Sequence, residues 1–292
     1  MRAVFGLLDR LPRRLKNRLR GGLGRARNWW VDTFRSYGPA ELAVCLRSLG
    51  IREGDILMLH SAYKESSGFK GSPGAVAECF LQVLGESGNL LMVSLPTTGA
   101  SYEYLGRTKV FDVRRTPSRM GLVSEFFRRR DDVVRSLHPS HPVLAHGPQA
   151  QWIVEGHESC LFPCGPDTPF DRAVELDGKL VFFDCQLNKM TFFHWLEHRI
   201  QDRVDLPLYG KDLFEVRVVD QHGKEAVVRT YAFSKEAIQR RRAHLLHDEL
   251  WKRGLVRRGR IGNTEILVVN LRDIIRCVDE MADRGVFFYE LS

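Results

Sequence analysis

The chain has 292 residues, of which 43% are hydrophobic and 27% charged, and this composition is ordinary for a globular protein. Its length suits one large domain or two small ones. Its net charge of +8 lies entirely in residues 1–30, which hold nine basic residues and one acidic residue. The body of the chain is therefore neutral and has no general attraction for nucleic acid, and no apolar stretch reaches the length of about 18 residues that spans a membrane.

The basic segment 1–30 also carries a helical apolar pattern. Apolar residues recur at spacings of three and four, and a Trp29-Trp30 pair closes the segment; the recurring residues are Phe5, Leu8, Leu11, Leu15 and Leu19. The pattern predicts a basic amphipathic leader that lies on an anionic membrane surface. A disordered basic tail explains it equally well, as does a helix that packs on the domain or on the second subunit of a homodimer.

The leader does not resemble a signal peptide, because its longest apolar run is short and no clear cleavage site follows. The six cysteines include no paired zinc motif. We therefore expect free thiols in a reducing cytoplasm, with the protein at the inner face of the membrane if the leader binds lipid.

Beyond the leader, residues 31–292 alternate amphipathic helices with apolar strands. Helices are predicted over residues 39–49, 75–84 and 120–130, and strands over 56–60, 89–95, 142–146 and 180–183. Next come a hairpin of strands 213–219 and 226–231, a helix over 235–253 capped by Ser234, a strand over 266–269 and a helix over 271–282. This order predicts an α/β fold, a layered α/β/α domain with a largely parallel central sheet and an added antiparallel hairpin.

The segment 191–199, which follows the strand around 180–183, is the most informative for function. His194 and Glu197 are three residues apart and would share a helix face. A histidine beside a carboxylate can accept a proton near neutral pH, and the carboxylate stabilises the imidazolium that forms. The alternative is a pair that merely caps and solvates a helix.

Four other segments extend this pattern toward the N-terminus. They are His60-Ser61 at a strand end, Arg-Thr-Pro-Ser-Arg-Met-Gly at 115–121, Arg-Ser-Leu-His-Pro-Ser-His-Pro at 135–142 and Gly-Pro-Asp-Thr-Pro-Phe at 165–170. In this order, and together with 191–198, they resemble the aminoglycoside 3-N-acetyltransferase family, also called the antibiotic N-acetyltransferases. The resemblance is close over residues 37–203 and loose beyond them.

The resemblance implies that an acyl group, in the simplest case acetyl, passes from acyl-CoA to an amine. His194 would be the general base, with Glu197 or another acid orienting it. Thr191, Ser61 and backbone N–H groups after His60 would polarise the thioester carbonyl. A nucleophilic Cys185 is an alternative that nothing nearby favours.

The resemblance also implies the binding residues. The cofactor would contact His60, Ser61, Gly71, Thr116, Ser118, Arg119 and Met120, with the glycine-rich turn 68–74 offering N–H groups to phosphate. The acceptor would contact His138, His141 and Asn188, although His138 fits a structural role equally well. We expect no metal, because the two histidines lack a third ligand.

Several positions depart from the family pattern. Ala62 and Pro142 stand where the family has serine, the stretch 184–190 is rewritten, and Asn188 stands where an acid is expected. Because the body of the chain is also neutral, these changes favour an amino sugar as the acceptor, for example in a surface polysaccharide or glycolipid. They do not favour a polycationic aminoglycoside. The alternative is a non-catalytic, membrane-associated binding protein on the same fold. A nucleic-acid function rests only on the leader and on the arginines at 240–242, without a recognition motif.

Overall fold

The structure is a computed structural model that describes residues 13–290. Helix α1 (Arg13–Phe34) begins in the predicted leader and runs past residue 30. The apolar positions from Phe5 to Leu11 lie outside the described residues, and the side chains at 13–21 and 25 are not described. Within the described part, no helix is both long and apolar enough to cross a membrane.

A seven-stranded sheet forms the centre of the body, in the order β4-β5-β2-β1-β6-β10-β9. The three middle strands β2, β1 and β6 are parallel, and the flanking strands pair antiparallel. Their bounds are β1 (Ile56–Ser61), β2 (Asn89–Val93), β4 (Val134–Arg135), β5 (Val143–His146), β6 (Lys179–Phe183), β9 (Arg257–Ile261) and β10 (Thr264–Asn270). The parallel centre places the carboxyl ends of β1 and β6 side by side, with Ser61 opposite Phe183.

Helices cover both faces of this sheet and create two separate cores. Alternate strand residues face opposite sides, so Leu57 and Leu59 join one core while Met58 joins the other. The first core includes α2 (Pro39–Ser48), α3 (Pro73–Leu84) and α5 (Leu122–Arg128). The second includes α6 (Ala150–Val154), α7 (Pro169–Glu175), α8 (Phe193–Arg199), α10 (His244–Lys252) and α11 (Leu271–Asp283).

A smaller sheet stands beside the main one. Its hairpin pairs β7 (Tyr209–Val219) with β8 (Glu225–Phe233), and β3 (Val110–Asp112) adds a parallel strand to β7. Helix α4 (Ser101–Arg107) packs near it, and Leu105 and Phe111 belong to the same small core. The layered α/β fold with an added hairpin is thus confirmed.

The predicted helix over 235–253 is wrong in one respect. Ser234 does cap a helix, since its Oγ accepts the Ala237 N–H at 3.0 Å, but that helix, α9 (Lys235–Arg240), ends after six residues. Arg241 has extended backbone angles (φ −61°, ψ 131°), and α10 begins at His244. The break frees the Arg241 side chain for a contact described below. The short elements α4, α6, α7, β3, β4 and β9 were not predicted, because they carry too few residues for a clear period.

The end of α1 is fixed to the body by two glycines. Val31 is buried, and the Arg35 carbonyl lies against Gly68 and Gly262, so close that a Cβ on either glycine would overlap its oxygen. Both glycines have positive φ (+87° and +55°), a conformation that other residues rarely adopt. Tyr37 then continues the attachment, with its hydroxyl 2.5 Å from Thr264 Oγ1.

Replacing Gly262 with alanine should therefore destabilise the protein more than the same change at Gly254. Both positions are left-handed, but a Cβ at 254 meets open space while one at 262 also comes 2.6 Å from the Tyr37 ring. We expect Gly262→Ala to cost about 1–3 kcal/mol more than Gly254→Ala. Urea denaturation measures both, and equal costs would show that α1 is not held by this close approach.

Candidate active site

The site begins where the chain leaves β6 and turns into α8. His194 lies in the first turn of α8, and its Nδ1 is 2.7 Å from Glu197 Oε2. Because that nitrogen donates to the carboxylate, Nε2 is left as the free acceptor. Nε2 has no hydrogen-bond partner among the described residues, and the His194 side chain is 21% exposed. The predicted pair of His194 and Glu197 is therefore present, and its role as a general base stays a prediction.

Glu197 itself is completely buried, and donors occupy both of its oxygens. Arg241 donates from Nε to Oε1 at 2.7 Å and from Nη2 to Oε2 at 3.0 Å, and the Tyr289 hydroxyl also donates to Oε1. Burial alone would raise the pKa of this carboxyl, but the hydrogen bond from His194 and the charge of Arg241 hold the pKa below its usual value. Glu197 is therefore an anion that orients His194 and is not itself available to a ligand.

The two extra donors come from distant parts of the chain. Arg241 sits in the break between α9 and α10, and it forms an isolated antiparallel bridge with Tyr289. The Arg242 N–H donates to the Phe288 carbonyl and the Glu290 N–H to the Arg240 carbonyl, both at 2.8 Å. These backbone bonds bring the last described residues against α8 and complete the site.

A cavity of about 270 Å³ opens beside His194. Its walls are Leu95, Thr97, Thr98, Gly99, Ala100, Ser101, Ser140, His141, His194, Phe233, Ile238 and Arg241. The Phe233 ring lies 4.6 Å from the His194 ring and the His141 ring 5.5 Å from it, measured between centroids. We name this space the acceptor cavity.

A second cavity, of about 290 Å³, shares Thr98 with the first. Its walls are Leu59, His60, Ser61, Ala62, Val93, Thr98, Arg119, Met120, Ser124, Cys185, Lys189 and Thr191. Both cavities open to solvent. We name this one the donor cavity. It therefore contains five of the predicted site residues, namely His60, Ser61, Arg119, Met120 and Thr191.

The donor cavity suits a long anionic thioester. Apolar side chains line part of it, and the cationic Arg119 and Lys189 are exposed and have no ion-pair partner among the described residues. The structure thus fits a cofactor that combines an acyl arm with phosphates, as acyl-CoA does.

His60 holds the start of α8 in place. Its ring stacks on Phe182 at 4.9 Å, and its Nε2 accepts the Thr191 N–H at 3.1 Å. Burial lowers the pKa of His60 to about 4, so the ring stays neutral and can accept this bond at neutral pH. His60 is thus a neutral support for the turn that carries Thr191.

Two hydroxyl groups in the donor cavity are free to polarise a carbonyl. Neither Ser61 Oγ nor Thr191 Oγ1 forms a hydrogen bond to any residue in the range 13–290, and both side chains line the cavity. The backbone N–H of Ala62, by contrast, donates to the Phe183 carbonyl at 2.9 Å because Ala62 extends the pairing of β1 with β6. The predicted use of N–H groups after His60 is therefore wrong for Ala62.

Cys185 borders the donor cavity but is a poor nucleophile. Burial raises the pKa of its thiol to about 12, and the neighbouring Asp184 adds to the increase. A thiol that stays protonated at neutral pH does not attack a thioester. The alternative mechanism through Cys185 is not supported.

Three predicted cofactor residues, Thr116, Ser118 and Gly71, do not line the donor cavity. Thr116 Oγ1 accepts the Asp112 N–H at 3.0 Å, and Ser118 Oγ lies 2.9 Å from Ser124 Oγ, so both shape the loop that presents Arg119 and Met120. Gly71 reaches neither cavity; a Cβ there would lie 2.6 Å from the Phe69 ring. Its direct contact with a cofactor stays a prediction.

The predicted acceptor residues separate into three environments. His141 lines the acceptor cavity, and burial together with the nearby His194 lowers its pKa well below the usual value, so it is neutral. His138 does not reach the cavity, because it is fully buried, stacks on His157 at 4.5 Å and lies 3.2 Å from Thr230 Oγ1. Asn188 is exposed and lines a different depression, beside Lys64 and Asp184.

Sequence reasoning missed Arg241, Tyr289, Phe233 and Thr98. The arginines at 240–242 resembled an ordinary exposed charge run, and nothing in the pattern singled out the middle one.

Within the described residues, no three His, Cys, Asp or Glu side chains come together as a metal-binding group.

The chain resembles known proteins in its sequence. The model of the family described as aminoglycoside 3-N-acetyltransferase matches residues 58–283. An aminoglycoside N(3)-acetyltransferase III of Salmonella is 25% identical over 193 residues, which cover 62% of this chain and 66% of the relative. An aminoglycoside N(3)-acetyltransferase IV of Salmonella is 32% identical over 160 residues, which cover 54% of this chain and 58% of the relative. The match thus spans just under two thirds of the first relative's length.

Solved structures share the fold over a longer range. Aminoglycoside acetyltransferase AAC(3)-Xa superposes with a TM-score of 0.73 at 20% identity, covering 90% of this chain and 96% of the other. AAC-IIIb, solved as a binary complex with CoASH, superposes with a TM-score of 0.70 at 22% identity, covering 88% and 99%. At these identities the likeness confirms the fold alone.

Replacing Glu197 with alanine should destabilise the protein strongly, because Arg241 and Tyr289 then lose their buried partner. We expect a loss of about 3 kcal/mol in the free energy of unfolding at pH 7. The control is Asp279→Ala, which breaks the Arg199–Asp279 pair at 2.9 Å between two side chains about 40% exposed, and which should cost less than about 1 kcal/mol. Chemical denaturation measures both, and similar small losses would mean that the Glu197 network does not join the C-terminal residues to α8.

Proposed function

Because the chain belongs to the aminoglycoside 3-N-acetyltransferase family, we propose that it transfers an acyl group, in the simplest case acetyl, from acyl-CoA to the amine of an amino sugar. The observation that carries this proposal is the placement of His194. His194 lines the acceptor cavity, and its Nε2 has no hydrogen-bond partner among the described residues. The adjoining donor cavity is lined by Ser61 and Thr191, whose hydroxyls have no hydrogen-bond partner in the same range. A base for an amine and donors for a developing oxyanion are the two requirements of aminolysis of a thioester.

The reaction proceeds by direct attack in a ternary complex. Acyl-CoA supplies an activated thioester carbonyl. The amine nitrogen bonds to that carbon, and His194 Nε2 takes the proton that the nitrogen loses. Ser61 and Thr191 donate hydrogen bonds to the carbonyl oxygen as it becomes negative. The C–S bond then breaks, and the proton held by His194 passes to the thiolate.

We infer that the acceptor is an amino sugar and not a polycationic drug. The described residues around the acceptor cavity include no aspartate and no glutamate, whereas a polycation needs anionic partners. An amine in a surface polysaccharide or glycolipid fits such a cavity, and its lipid-linked precursors are made beside a membrane. This choice of substrate is separate from the reaction itself.

The leader also favours a position of the protein at a membrane surface. Trp29, Trp30 and Phe34 form an exposed aromatic cluster on α1, with Trp29 and Phe34 each 64% exposed. The basic residues of segment 1–30 precede this cluster. We propose that this end of the protein binds an anionic membrane surface, since aromatic rings and cations together favour the headgroup region.

His194→Ala should leave folding and CoA binding intact and reduce the turnover of acetyl-CoA with its amine by roughly 100-fold or more. The assay follows the release of thiol across a panel of amino sugars, and the melting temperature with added CoA reports binding. The control is His146→Ala, which removes an imidazole that lies outside both cavities. A wild-type protein that binds CoA and acylates no amine would favour the non-catalytic alternative, and full activity of His194→Ala would exclude His194 as the base.

Deletion of residues 1–30 should abolish binding to vesicles that contain anionic lipid and leave catalysis unchanged. The truncated chain keeps the buried Val31 and the Asp32–Lys70 pair at 2.8 Å, so the body should stay folded. Each basic residue near the surface contributes about 1 kcal/mol, and added salt should weaken the attraction.

Co-sedimentation at low and physiological salt measures this binding. Trp251→Ser, which removes another exposed tryptophan (43%) far from the leader in sequence, is the control and should bind like the wild type. If the full-length protein stays in the supernatant, the leader does not bind membranes, and its contact with a second subunit becomes the better explanation.

A further inference from the structure

The acceptor cavity carries a positive group and no negative one. Among the residues from 13 to 290, Arg241 is part of its wall, and no carboxylate is. Glu197 does not reverse this, because it is fully buried and its two oxygens already accept hydrogen bonds from His194, Arg241 and Tyr289. The charges of Glu197 and Arg241 cancel each other, but only Arg241 reaches the cavity wall, so the wall presents a cationic donor to the acceptor.

Arg241 also has an unused hydrogen-bonding edge. Its Nε and Nη2 bind Glu197, but Nη1 donates to no residue within 13–290, and the side chain is 21% exposed. Two hydrogen bonds to Glu197 hold the guanidinium, which also lies 5.7 Å from the Phe193 ring centroid and 5.9 Å from the Phe233 ring centroid. A rigid guanidinium with a free edge in a cavity is a good ligand for a carboxylate or a phosphate.

We propose that the acceptor is an amino sugar that carries an anionic group close to its amine, and that Arg241 selects it. This inference rests on the proposed acylation of an amine and narrows its substrate. The anionic group accepts the charged hydrogen bond that Arg241 Nη1 leaves unused. A carboxylate on the sugar ring and a phosphate on the sugar share this chemistry, so both belong to the proposed class.

The same arrangement disfavours polycationic acceptors. Every additional ammonium group placed near Arg241 would be repelled by it and would find no carboxylate in the cavity wall. A charged hydrogen bond to an anion contributes about tenfold to a hundredfold in affinity, which is enough to set the preference.

The test compares acceptors that differ only in charge. Glucosamine and its 3-amino and 4-amino isomers are each offered as the plain sugar, the uronic acid and the 1-phosphate, with kanamycin as the polycation. We expect kcat/KM to be at least tenfold higher for the anionic forms than for the plain sugars, and lowest for kanamycin. The uronic acid and phosphate arms identify which anion is preferred.

Three single variants and one double variant connect the preference to Arg241. Arg241→Gln should reduce the anionic advantage to within about twofold, and Arg241→Lys, which keeps the charge, should retain most of it. Arg240→Gln changes the neighbouring arginine, which pairs with Glu236 outside the cavity, and should behave as the wild type. Arg241→Gln leaves the buried Glu197 with fewer hydrogen-bond partners and could prevent folding. The double variant Arg241→Gln, Glu197→Gln removes both charges together and replaces the single variant in the binding measurement if the single variant does not fold.

Binding is measured separately from turnover, by calorimetry of each amino sugar in the presence of CoA, which has no acyl group to transfer. Arg241-dependent binding of the anionic forms without any acylation would support the inference and refute the proposed reaction. Acylation of plain sugars or kanamycin at least as fast as the anionic forms would support the reaction and overturn the inference. A preference that survives in Arg241→Gln, or in the double variant's binding, would also overturn it.

Discussion

The arrangement of the site depends on one fully buried carboxylate. A buried charge is tolerated only when hydrogen bonds replace the water that it has lost. Glu197 receives four, one from His194 on its own helix, two from Arg241 and one from Tyr289. Satisfying this single group requires α9 to end early, the segment after it to extend, and the last described residues to return to α8. The orientation of His194 and the closure of the fold therefore have the same physical cause.

The sequence predicted the centre of the main sheet well because the strands there are long enough to show a pattern, whereas the edge strands β4 and β9 were missed. The apolar runs at 56–60, 89–93 and 180–183 are buried on both faces and became the parallel centre. The helix predicted over 235–253 shows the limit of such reasoning. A helical pattern surrounds Arg241, and only a tertiary contact with Glu197 reveals why the helix stops there. Local propensity could not contain that information.

The candidate site was predictable where its residues are close in sequence or belong to a recognisable motif. His194 and Glu197 lie three apart, and His60, Ser61, Arg119, Met120 and Thr191 do meet in one cavity. His138 belongs to an equally clear motif, yet it is buried behind the cavity, because a motif does not specify which of its side chains reaches the surface. Arg241 and Tyr289 lie 44 and 92 residues from Glu197, and no local pattern connects them.

The shared wall between the two cavities has a kinetic consequence. Both cavities open to solvent, and Thr98 is the one described residue that lines both. If acyl-CoA enters the donor cavity and the amine enters the acceptor cavity, as proposed, neither substrate has to pass through the space of the other, and the geometry imposes no order of addition. A single molecule that joins a pantetheine-like arm to an amino sugar across Thr98 would occupy both cavities at once. Such a bisubstrate ligand would gain affinity from the linkage itself, since its second half binds at the effective concentration that the first half sets.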